Sequence, residues 1–185
     1  MDNILKFFKT INQLKHSERE GWKRIGVNGV KDTIASHSYG ATLLGWLRAK
    51  KEGMDENKII KLLLMHDFIM AYIPDYTPRD NTFKDKKNLE KTSFNDMIKN
   101  IPDILKDEIK YLFLEYQDEK SKEAIFAREC DKIDTLLQAS TYSNEIEEDI
   151  MPEFLNSAKD KFKTKEGKII YENIKNRHTS KNHND

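Results

Sequence analysis

The sequence has little of what builds disulfide-stabilised, membrane-spanning or β-rich proteins. Its 185 residues include one cysteine, four prolines and seven glycines. The single Cys130 excludes an internal disulfide framework and fits a reducing cytoplasm. No basic segment precedes an apolar N-terminal run, so no secretory signal is predicted. No apolar run is long enough to cross a bilayer, so we expect no membrane association.

The chain also carries no formal net charge at pH 7. Lys and Arg total 32, and Asp and Glu total 32. A chain without a global positive field is not steered to a nucleic-acid polymer, and any phosphate-binding cation has to act locally. With 35% charged and 37% hydrophobic residues, the length suits one domain with one core. We predict that this domain covers 1–176 and that 177–185 form a disordered tail.

Helical periodicity runs through most of the chain, while alternating β-branched residues are almost absent, which predicts an all-α fold. Asp55 is placed to cap one helix, Pro102 suits the first turn of another, and a further helix begins near Ser121. The segment 18–27 is predicted to be a loop. A first amphipathic helix is predicted from the helical spacing of Ile4, Phe7, Phe8, Ile11 and Leu14, and the helix capped by Asp55 runs through Ile59, Ile60, Leu62 and Leu63. The predicted buried stripes are Ile104, Leu105, Ile109, Leu112 and Phe113, and Phe126, Cys130, Ile133 and Leu137.

One apolar run, residues 62–65, ends directly in His66 and Asp67. Charged side chains are costly to bury unless they are paired or coordinated. The doublet therefore indicates a partner elsewhere in the chain. A His-Asp dipeptide also arises often by chance, so by itself it identifies no site.

Four side chains from three predicted helices are candidates for one metal site: His37, His66, Asp67 and Asp131. Adjacent helical residues do not share a face, so the doublet has to flank an ion that other helices also bind. Two imidazoles and two carboxylates suit one divalent ion such as Co, Mn, Fe, Ni or Zn, with Mg a further option. A core histidine at 37 and a salt-bridge partner at 131 are the alternative interpretations.

Five segments together resemble the HD-domain phosphohydrolases, and within them the small 5′-nucleotidase group. They occur in the order and spacing of that family, between about Leu5 and Tyr142. The segments are Arg19-Glu20-Gly21-Trp22, Asp32-Thr33-Ile34-Ala35-Ser36-His37-Ser38-Tyr39, His66-Asp67, Asp75-Tyr76-Thr77-Pro78 and Asp131-Lys132-Ile133-Asp134-Thr135-Leu136-Leu137-Gln138-Ala139.

The resemblance implies a single-domain HD helical bundle in which the four candidate ligands hold the metal between helices. It further implies that Arg19 grips a phosphate, and that Trp22 lies near the base or sugar. The residues of the loop bounded by Pro74 and Pro78, chiefly Asp75 and Thr77, would contact the substrate or the attacking water. Arg128 is a further phosphate candidate, and a homodimer through the apolar N-terminal face is a further implication. For Trp22, packing as a plug under a surface loop is the alternative.

The sequence departs from the family pattern in three ways. Met70 stands where such nucleotidases carry a glutamate, Ser36 replaces an acidic residue, and an acidic run is diluted to Lys91-Thr92-Ser93. Methionine neither transfers a proton nor orients a water. Its presence is compatible with a lost activity, with chemistry that relies on the metal and Asp75, or with a larger and more negative substrate. A glutamate beside a triphosphate costs Coulomb energy that a methionine does not.

We therefore predict a metal-dependent phosphohydrolase that removes phosphate from nucleoside 5′-mono-, di- or triphosphates in the cytoplasm. Asp75, Arg19 and Asp67 are its predicted catalytic residues, and Arg19, Trp22, Met70, Asp75, Thr77 and Arg128 its predicted substrate contacts. The alternative is a catalytically impaired HD-domain protein that binds nucleotides without turnover.

Overall fold

The computed structural model describes residues 3–29, 31–73, 86–143 and 149–181, without the side chains of 86–91 and 181. Helix dominates these ranges, which confirms the prediction of an all-α fold. Within the same ranges, no helix is both long enough and apolar enough to span a membrane. The α-helices are α1 (Asn3–Ile11), α2 (Glu20–Arg24), α3 (Ile34–Glu52), α4 (Glu56–Met65), α5 (Lys86–Asn100), α6 (Asp103–Asp118), α7 (Lys122–Tyr142), α8 (Met151–Ala158) and α9 (Lys165–Lys181), with 3-10 turns at Asn12–Lys15 and Phe68–Ala71.

Local capping sets where the central helices begin. The Thr33 and Ser36 side chains form a reciprocal capping box at the start of α3. The Asp55 carboxylate accepts a hydrogen bond from the Lys58 N–H (3.0 Å) before α4. The Ser121 hydroxyl accepts one from the Ala124 N–H (3.1 Å) before α7. The predicted starts at Asp55 and Ser121 are confirmed.

Helices α3, α4 and α7 pack against one another at the centre, with α6 on α4 and α7, and with α8 and α9 on α7. The approach of α3 to α4 is close at Gly45, where an added Cβ would lie 2.2 Å from Leu63 Cδ1. Leu62 and Leu63 are fully buried in the resulting core. Because the three central helices meet tightly, residues far apart in sequence face the same small volume.

Several predicted details are wrong. Ile104 is 83% exposed and Leu137 is 48% exposed. Helix α6 packs on the core through the face that begins at Leu105 and continues at Ile109 and Leu112. Helix α7 buries Leu136, next to the exposed Leu137. The segment predicted as a loop contains α2, whose Glu20 pairs with both Lys23 and Arg24 (3.6 Å each).

The predicted disordered tail also differs from the structure, because α9 continues past Arg177 to Lys181. A contact between His178 Nε2 and Asp149 Oδ2 (3.0 Å) fixes this end of the helix. Residues 182–185 lie outside the described ranges.

A buried polar cluster, the Glu129 cluster, joins α3, α7 and the start of α9. Its members are Arg48, Glu52, Glu129, Cys130 and Thr164. The carboxylate of Glu129 accepts hydrogen bonds from the N–H groups of Lys163 (2.8 Å) and Thr164 (2.7 Å) and from the Thr164 hydroxyl (2.7 Å). Because Glu129 is fully buried, these bonds replace the water that the carboxylate loses on folding.

Arg48 occupies the other side of the Glu129 cluster. Its Nε donates to Glu52 Oε1 (3.0 Å) and its Nη1 to Cys130 Sγ (3.4 Å), while Nη2 lies 4.0 Å from Glu129. The guanidinium also stacks 4.5 Å over the Phe126 ring. Burial raises the pKa of the Cys130 thiol to about 12, so this cysteine is an inert core residue.

Candidate metal and phosphate site

His37 lies in the first turns of α3, where the capping box fixes the backbone, and it is 1% exposed. Its Nδ1 is 2.7 Å from Asp134 Oδ2 on α7. The other ring nitrogen, Nε2, is buried and has no hydrogen-bond partner among the described residues. One side of the imidazole is therefore held and the other faces the interior.

His66 and Asp67 lie where α4 stops. Met65 is the last residue of the helix, and Asp67 has φ −103° and ψ 10°, outside helical geometry. This change of backbone direction lets two adjacent side chains approach one site, which an unbroken helix would prevent. The Nδ1–H of His66 donates to the Leu63 carbonyl oxygen (2.6 Å). Its Nε2, like that of His37, has no hydrogen-bond partner in the described part of the chain.

Asp131 comes from the middle of α7 and is 6% exposed. Its Oδ2 accepts a hydrogen bond from the Tyr116 hydroxyl (3.0 Å), and Lys132 Nζ lies 3.0 Å from the same oxygen. The Tyr116 ring also lies 5.4 Å from the His66 ring. Tyr116 thus orients the Asp131 carboxylate through its hydroxyl and packs its ring beside that of His66.

These four side chains form one group, the ligand cluster: His37, His66, Asp67 and Asp131. Nε2 of His37 is 3.2 Å from Asp131 Oδ1 and 3.9 Å from Asp67 Oδ2, and Nε2 of His66 is 3.2 Å from Asp67 Oδ2. One ligand atom from each of His37, His66 and Asp67 lies within 4.8 Å of the others. The structure therefore brings together all four side chains that the sequence singled out as ligands.

The cluster is electrostatically suited to a cation. Burial favours the neutral acid at Asp131, but Lys132, His37 and His66 together hold the pKa of that carboxyl well below its usual range. Burial likewise opposes ionisation of Asp67, yet His66, His37 and Arg19 lower the pKa of its carboxyl. Both carboxylates are thus anionic at neutral pH, next to two histidines.

The donor set fits a divalent transition metal ion. Ligands bound to one ion at about 2.0–2.2 Å lie roughly 3–3.5 Å from each other, which matches the two 3.2 Å separations. Nε2 of each histidine lies 3.2 Å from a carboxylate oxygen without hydrogen-bond geometry, which is a cost for a buried polar atom. A cation that accepts their lone pairs removes that cost.

Arg19 is placed beside this cluster by a backbone contact between the start of α2 and the start of α3. Its N–H donates to the Asp32 carbonyl oxygen (3.0 Å), and the Ile34 N–H donates to that of Ser17 (2.8 Å). The positive charge of Arg19 contributes to the lowered pKa of Asp67. Its Nη1 is buried and has no hydrogen-bond partner among the described residues. A guanidinium so placed can donate to an anion bound next to the ligand cluster.

Trp22 is not available to a substrate in the structure, contrary to its predicted place near the base or sugar. It is 1% exposed, stacks on Phe154 at 4.9 Å and meets the Tyr142 ring edge-on at 5.1 Å. A side chain enclosed in this way presents no face to a nucleotide. The alternative interpretation of Trp22, packing as a plug, is the one that the structure shows.

The remaining predicted contacts fall in three classes. Met70 lies in the 3-10 turn after Asp67, half-buried against the core. Arg128 contacts Glu119, donates to the Tyr116 carbonyl oxygen (3.2 Å) and lies over the Tyr116 ring. Its partners thus lie on α6 and at Glu119, the residue that follows this helix. The phosphate role of Arg128 stays a prediction. Asp75 and Thr77 lie outside the described residues.

Two residues of the site were missed by the sequence-based prediction. Asp134 follows Asp131 by one helical turn, and this i,i+3 spacing was the available signal that both face α3. Tyr116 carried no comparable signal, because its role depends on how α6 meets α7. Lys132 lies in the segment that begins at Asp131, and its sequence position predicted no role for it.

Comparison with known proteins agrees with this geometry. A family model described as an HD domain matches residues 11–175. The chain belongs to the HD-domain family. The ligand cluster supplies the histidine-aspartate doublet of this HD domain together with partners from two other helices.

The relatives of this HD domain include proteins named 5′-deoxynucleotidase HDDC2. The one from Dictyostelium discoideum is 33% identical over 174 residues, covering 88% of this chain and 91% of its own. The one from Xenopus laevis is 31% identical over 163 residues, covering 87% and 80%. These names agree with the resemblance to the small nucleotidase group.

Solved structures share the fold. The PH0347 protein from Pyrococcus horikoshii OT3 superposes with a TM-score of 0.76 at 26% identity, covering 93% of this chain and 96% of its own. A predicted metal-dependent phosphohydrolase from Magnetospirillum magnetotacticum MS-1 gives 0.75 at 18% identity, covering 96% and 92%. The second likeness concerns the fold alone.

Proposed function

We propose that this protein is a metal-dependent phosphohydrolase that removes phosphate from nucleoside 5′-phosphates in the cytoplasm. The observation that carries the proposal is the juxtaposition of two kinds of unsatisfied group. The buried Nε2 atoms of His37 and His66 lack partners where a cation fits, and the buried Nη1 of Arg19 lacks one where an anion fits. A phosphate ester next to a metal ion satisfies both. The relatives named 5′-deoxynucleotidases support the choice of nucleotide.

His37, His66, Asp67 and Asp131 would hold one divalent ion of the Co, Mn, Fe, Ni, Zn or Mg group. When bound, such an ion supplies a Lewis acid and a water of lowered pKa. Mixed imidazole and carboxylate ligands are compatible with all of the transition ions named. Lys132, 3.0 Å from Asp131, limits the net negative charge of the cluster.

Arg19 binds the phosphate in this proposal and offsets the charge that grows on the transferring group. Its planar guanidinium matches two phosphate oxygens at once, which a lysine cannot do. Asp75 orients the attacking water or the leaving oxygen, and Thr77 contacts the substrate. Trp22 is no longer proposed as a base contact, since it is enclosed in the core.

Met70 sets the finer proposal about the substrate. The Met70 N–H donates a hydrogen bond to the Asp67 carbonyl oxygen (2.9 Å). Met70 therefore lies one turn after Asp67, which is a proposed metal ligand. A thioether there adds no negative charge, and di- and triphosphates are therefore accepted alongside monophosphates. The same residue also favours the second candidate function, nucleotide binding without turnover, because methionine supplies no acid or base.

A nucleotide panel tests the proposal. Phosphate release is measured from ribo- and deoxyribonucleoside 5′-mono-, di- and triphosphates with Mn²⁺ or Co²⁺, and the released species is identified as phosphate, diphosphate or triphosphate. A chelated sample and His66→Ala serve as controls. Metal-dependent release from at least one nucleotide is expected. Nucleotide binding without release from any member would replace the proposal with the second candidate.

We also propose that two copies pair through an exposed apolar groove of about 500 Å³ between α1, α3 and α4. Aromatic side chains such as those of this groove are enriched at the centre of protein interfaces. Its lining includes Phe8, Tyr39, Leu43, Trp46, Ile60 and Leu64.

Sedimentation tests the pairing. Leu43→Glu should shift the protein from dimer to monomer, because Leu43 lines the groove and is 39% exposed. Ile104→Glu, at an 83% exposed position outside the groove, is the matched control. A monomeric wild type would contradict the pairing.

A further inference from the structure

His37 is held from the side that faces away from the other ligands. Its Nδ1 lies 2.7 Å from Asp134 Oδ2, while its Nε2 faces Asp131 and Asp67. Asp131 and Asp134 lie one turn apart on α7. The two carboxylates therefore meet the same imidazole at opposite nitrogens, one within the ligand cluster and one outside it.

This contact determines which ring nitrogen carries the proton. The Asp134 oxygen lies at hydrogen-bond distance (2.7 Å) from Nδ1, and a carboxylate oxygen accepts the hydrogen bond of an imidazole N–H, so Nδ1 is the donor. The lone pair of the neutral ring is then on Nε2, which is the nitrogen without a hydrogen-bond partner in the described residues. Asp134 thereby keeps His37 in the one tautomer that can bind a metal inside the cluster.

The second histidine shows the same arrangement with a weaker acceptor. His66 donates its Nδ1–H to the neutral carbonyl oxygen of Leu63 (2.6 Å). A negatively charged acceptor makes the opposite nitrogen a stronger ligand than a neutral one does. The difference assigns Asp134 a specific effect on His37 that the backbone does not supply to His66.

A glycine makes room for this carboxylate. Gly40 follows His37 by one turn of α3, and a Cβ added there would lie 2.4 Å from Asp134 Oδ1 and 3.3 Å from its Cγ. The clashing atoms belong to the end of a side chain, so an alanine at 40 would displace Asp134 rather than the helices. The absence of a side chain at Gly40 is thus a condition for the contact between Asp134 and His37.

We propose that Asp134 is a positioning residue for the metal site, and that Gly40 provides the space it requires. Asp134 orients His37 and strengthens it as a ligand without joining the ligand cluster. The inference rests on the proposed function only in requiring that the cluster bind a divalent ion.

The test measures the affinity for Co²⁺ alone, by titrating metal-stripped protein against a competing chelator. Asp134→Ala should weaken Co²⁺ binding about 10–100-fold, the usual effect of losing such a partner. Asp134→Asn should weaken Co²⁺ binding less than Asp134→Ala does, since an amide oxygen still accepts the hydrogen bond from His37 Nδ1. Gly40→Ala should also weaken binding, although it removes no polar group and alanine favours a helix over glycine.

Two matched controls separate this effect from general damage. Glu52→Gln removes a carboxylate on α3 that is 21% exposed, as is that of Asp134. Gly21→Ala adds a methyl group in open space, with no atom within 4 Å. Both should keep the wild-type Co²⁺ affinity, and melting in excess chelator should show that Gly40→Ala remains folded.

The outcomes are distinct. Unchanged Co²⁺ affinity in Asp134→Ala, even with a lower melting temperature, would reduce Asp134 to a structural role and overturn the inference. Unchanged affinity in Gly40→Ala would overturn the part that concerns Gly40. A wild type that binds no Co²⁺ would overturn both this inference and the proposed function. Binding that weakens in the variants of a protein that hydrolyses no nucleotide would support the inference and remove the proposed function alone.

Discussion

The ligand cluster and the Glu129 cluster lie between the same two helices, α3 and α7, and both bury charged side chains. They differ in how the buried carboxylates and imidazoles are satisfied, although Arg48 Nη2 in the Glu129 cluster also has no hydrogen-bond partner among the described residues. Glu129 is fully buried and accepts three hydrogen bonds, and Arg48 uses two of its nitrogens and stacks on Phe126. In the ligand cluster, both histidines leave Nε2 without a hydrogen-bond partner among the described residues.

The difference shows that burial of charge does not by itself mark a functional site. A buried carboxylate whose hydrogen bonds come from the protein fastens one element to another. Two buried imidazole nitrogens without hydrogen-bond partners, set beside two carboxylates, indicate a cation that completes the site. The following changes should therefore affect metal binding at one cluster and stability at the other.

The largest effect is expected from removing a ligand. His66→Ala or Asp131→Ala should abolish bound metal and lower kcat/KM by at least about 10³-fold, since a catalytic metal contributes several kcal/mol to the transition state. The variants should fold as well as metal-stripped wild type, which circular dichroism checks. A full metal complement in both variants, by elemental analysis, would refute the ligand set.

Glu129→Ala should have the reverse effect: it should lower stability and leave metal binding unchanged. It leaves two backbone N–H groups and the Thr164 hydroxyl without their acceptor and removes the carboxylate that lies 4.0 Å from Arg48, so the free energy of unfolding in urea should fall by about 3–5 kcal/mol. Co²⁺ affinity of the folded fraction should stay at the wild-type value. Glu166→Ala, on the exposed side of α9, is the control and should change stability by about 0.5 kcal/mol or less. Lost metal affinity in Glu129→Ala would show that the two clusters are coupled.

Arg19→Ala should weaken substrate binding and spare the metal. A charge-assisted hydrogen bond to phosphate is worth about 1.5–3 kcal/mol, so kcat/KM should fall accordingly, through a higher KM and a lower kcat, while metal content is unchanged. Arg19→Lys should restore only part of the substrate affinity, because lysine does not donate to two phosphate oxygens at once. Wild-type kinetics in Arg19→Ala would place this residue outside the pocket.

Met70→Glu should produce the smallest change and the most selective one. A carboxylate one turn after Asp67 would repel additional phosphates by about 1 kcal/mol if solvent reaches the pair. Triphosphate turnover should then fall more than monophosphate turnover, which is measured as kcat/KM for one nucleoside at all three phosphorylation levels. Met70→Gln, which adds a similar volume without charge, is the control. Equal losses for all three substrates would contradict the polyphosphate proposal.

The sequence predicted where helices begin more accurately than which side of each helix is buried. Asp55 and Ser121 marked helix starts correctly because capping depends on a few neighbouring residues. Ile104 and Leu137 were assigned to buried stripes, yet both are exposed, because the orientation of a helix depends on which neighbours it meets. Periodicity carries no information about those neighbours.

The site was predictable where residue type restricts chemistry and unpredictable where packing decides. Histidine and aspartate at the end of an apolar helix required a partner, which the structure provides through α3 and α7. Trp22 gave no indication that Phe154, from α8, would cover it. The role of Asp134 emerged only from its 2.7 Å contact with His37.

The end of α4 has one more consequence, which concerns the polarity of the whole helix. The peptide dipoles of an α-helix add up to about half a negative charge at its carboxyl end. α4 ends at Met65, immediately before His66 and Asp67, so a cation held by this doublet lies at the negative pole of the helix. Such placement typically adds about 0.3–1 kcal/mol of attraction. The same two residues at the amino end of a helix would face the positive pole and hold a cation less tightly.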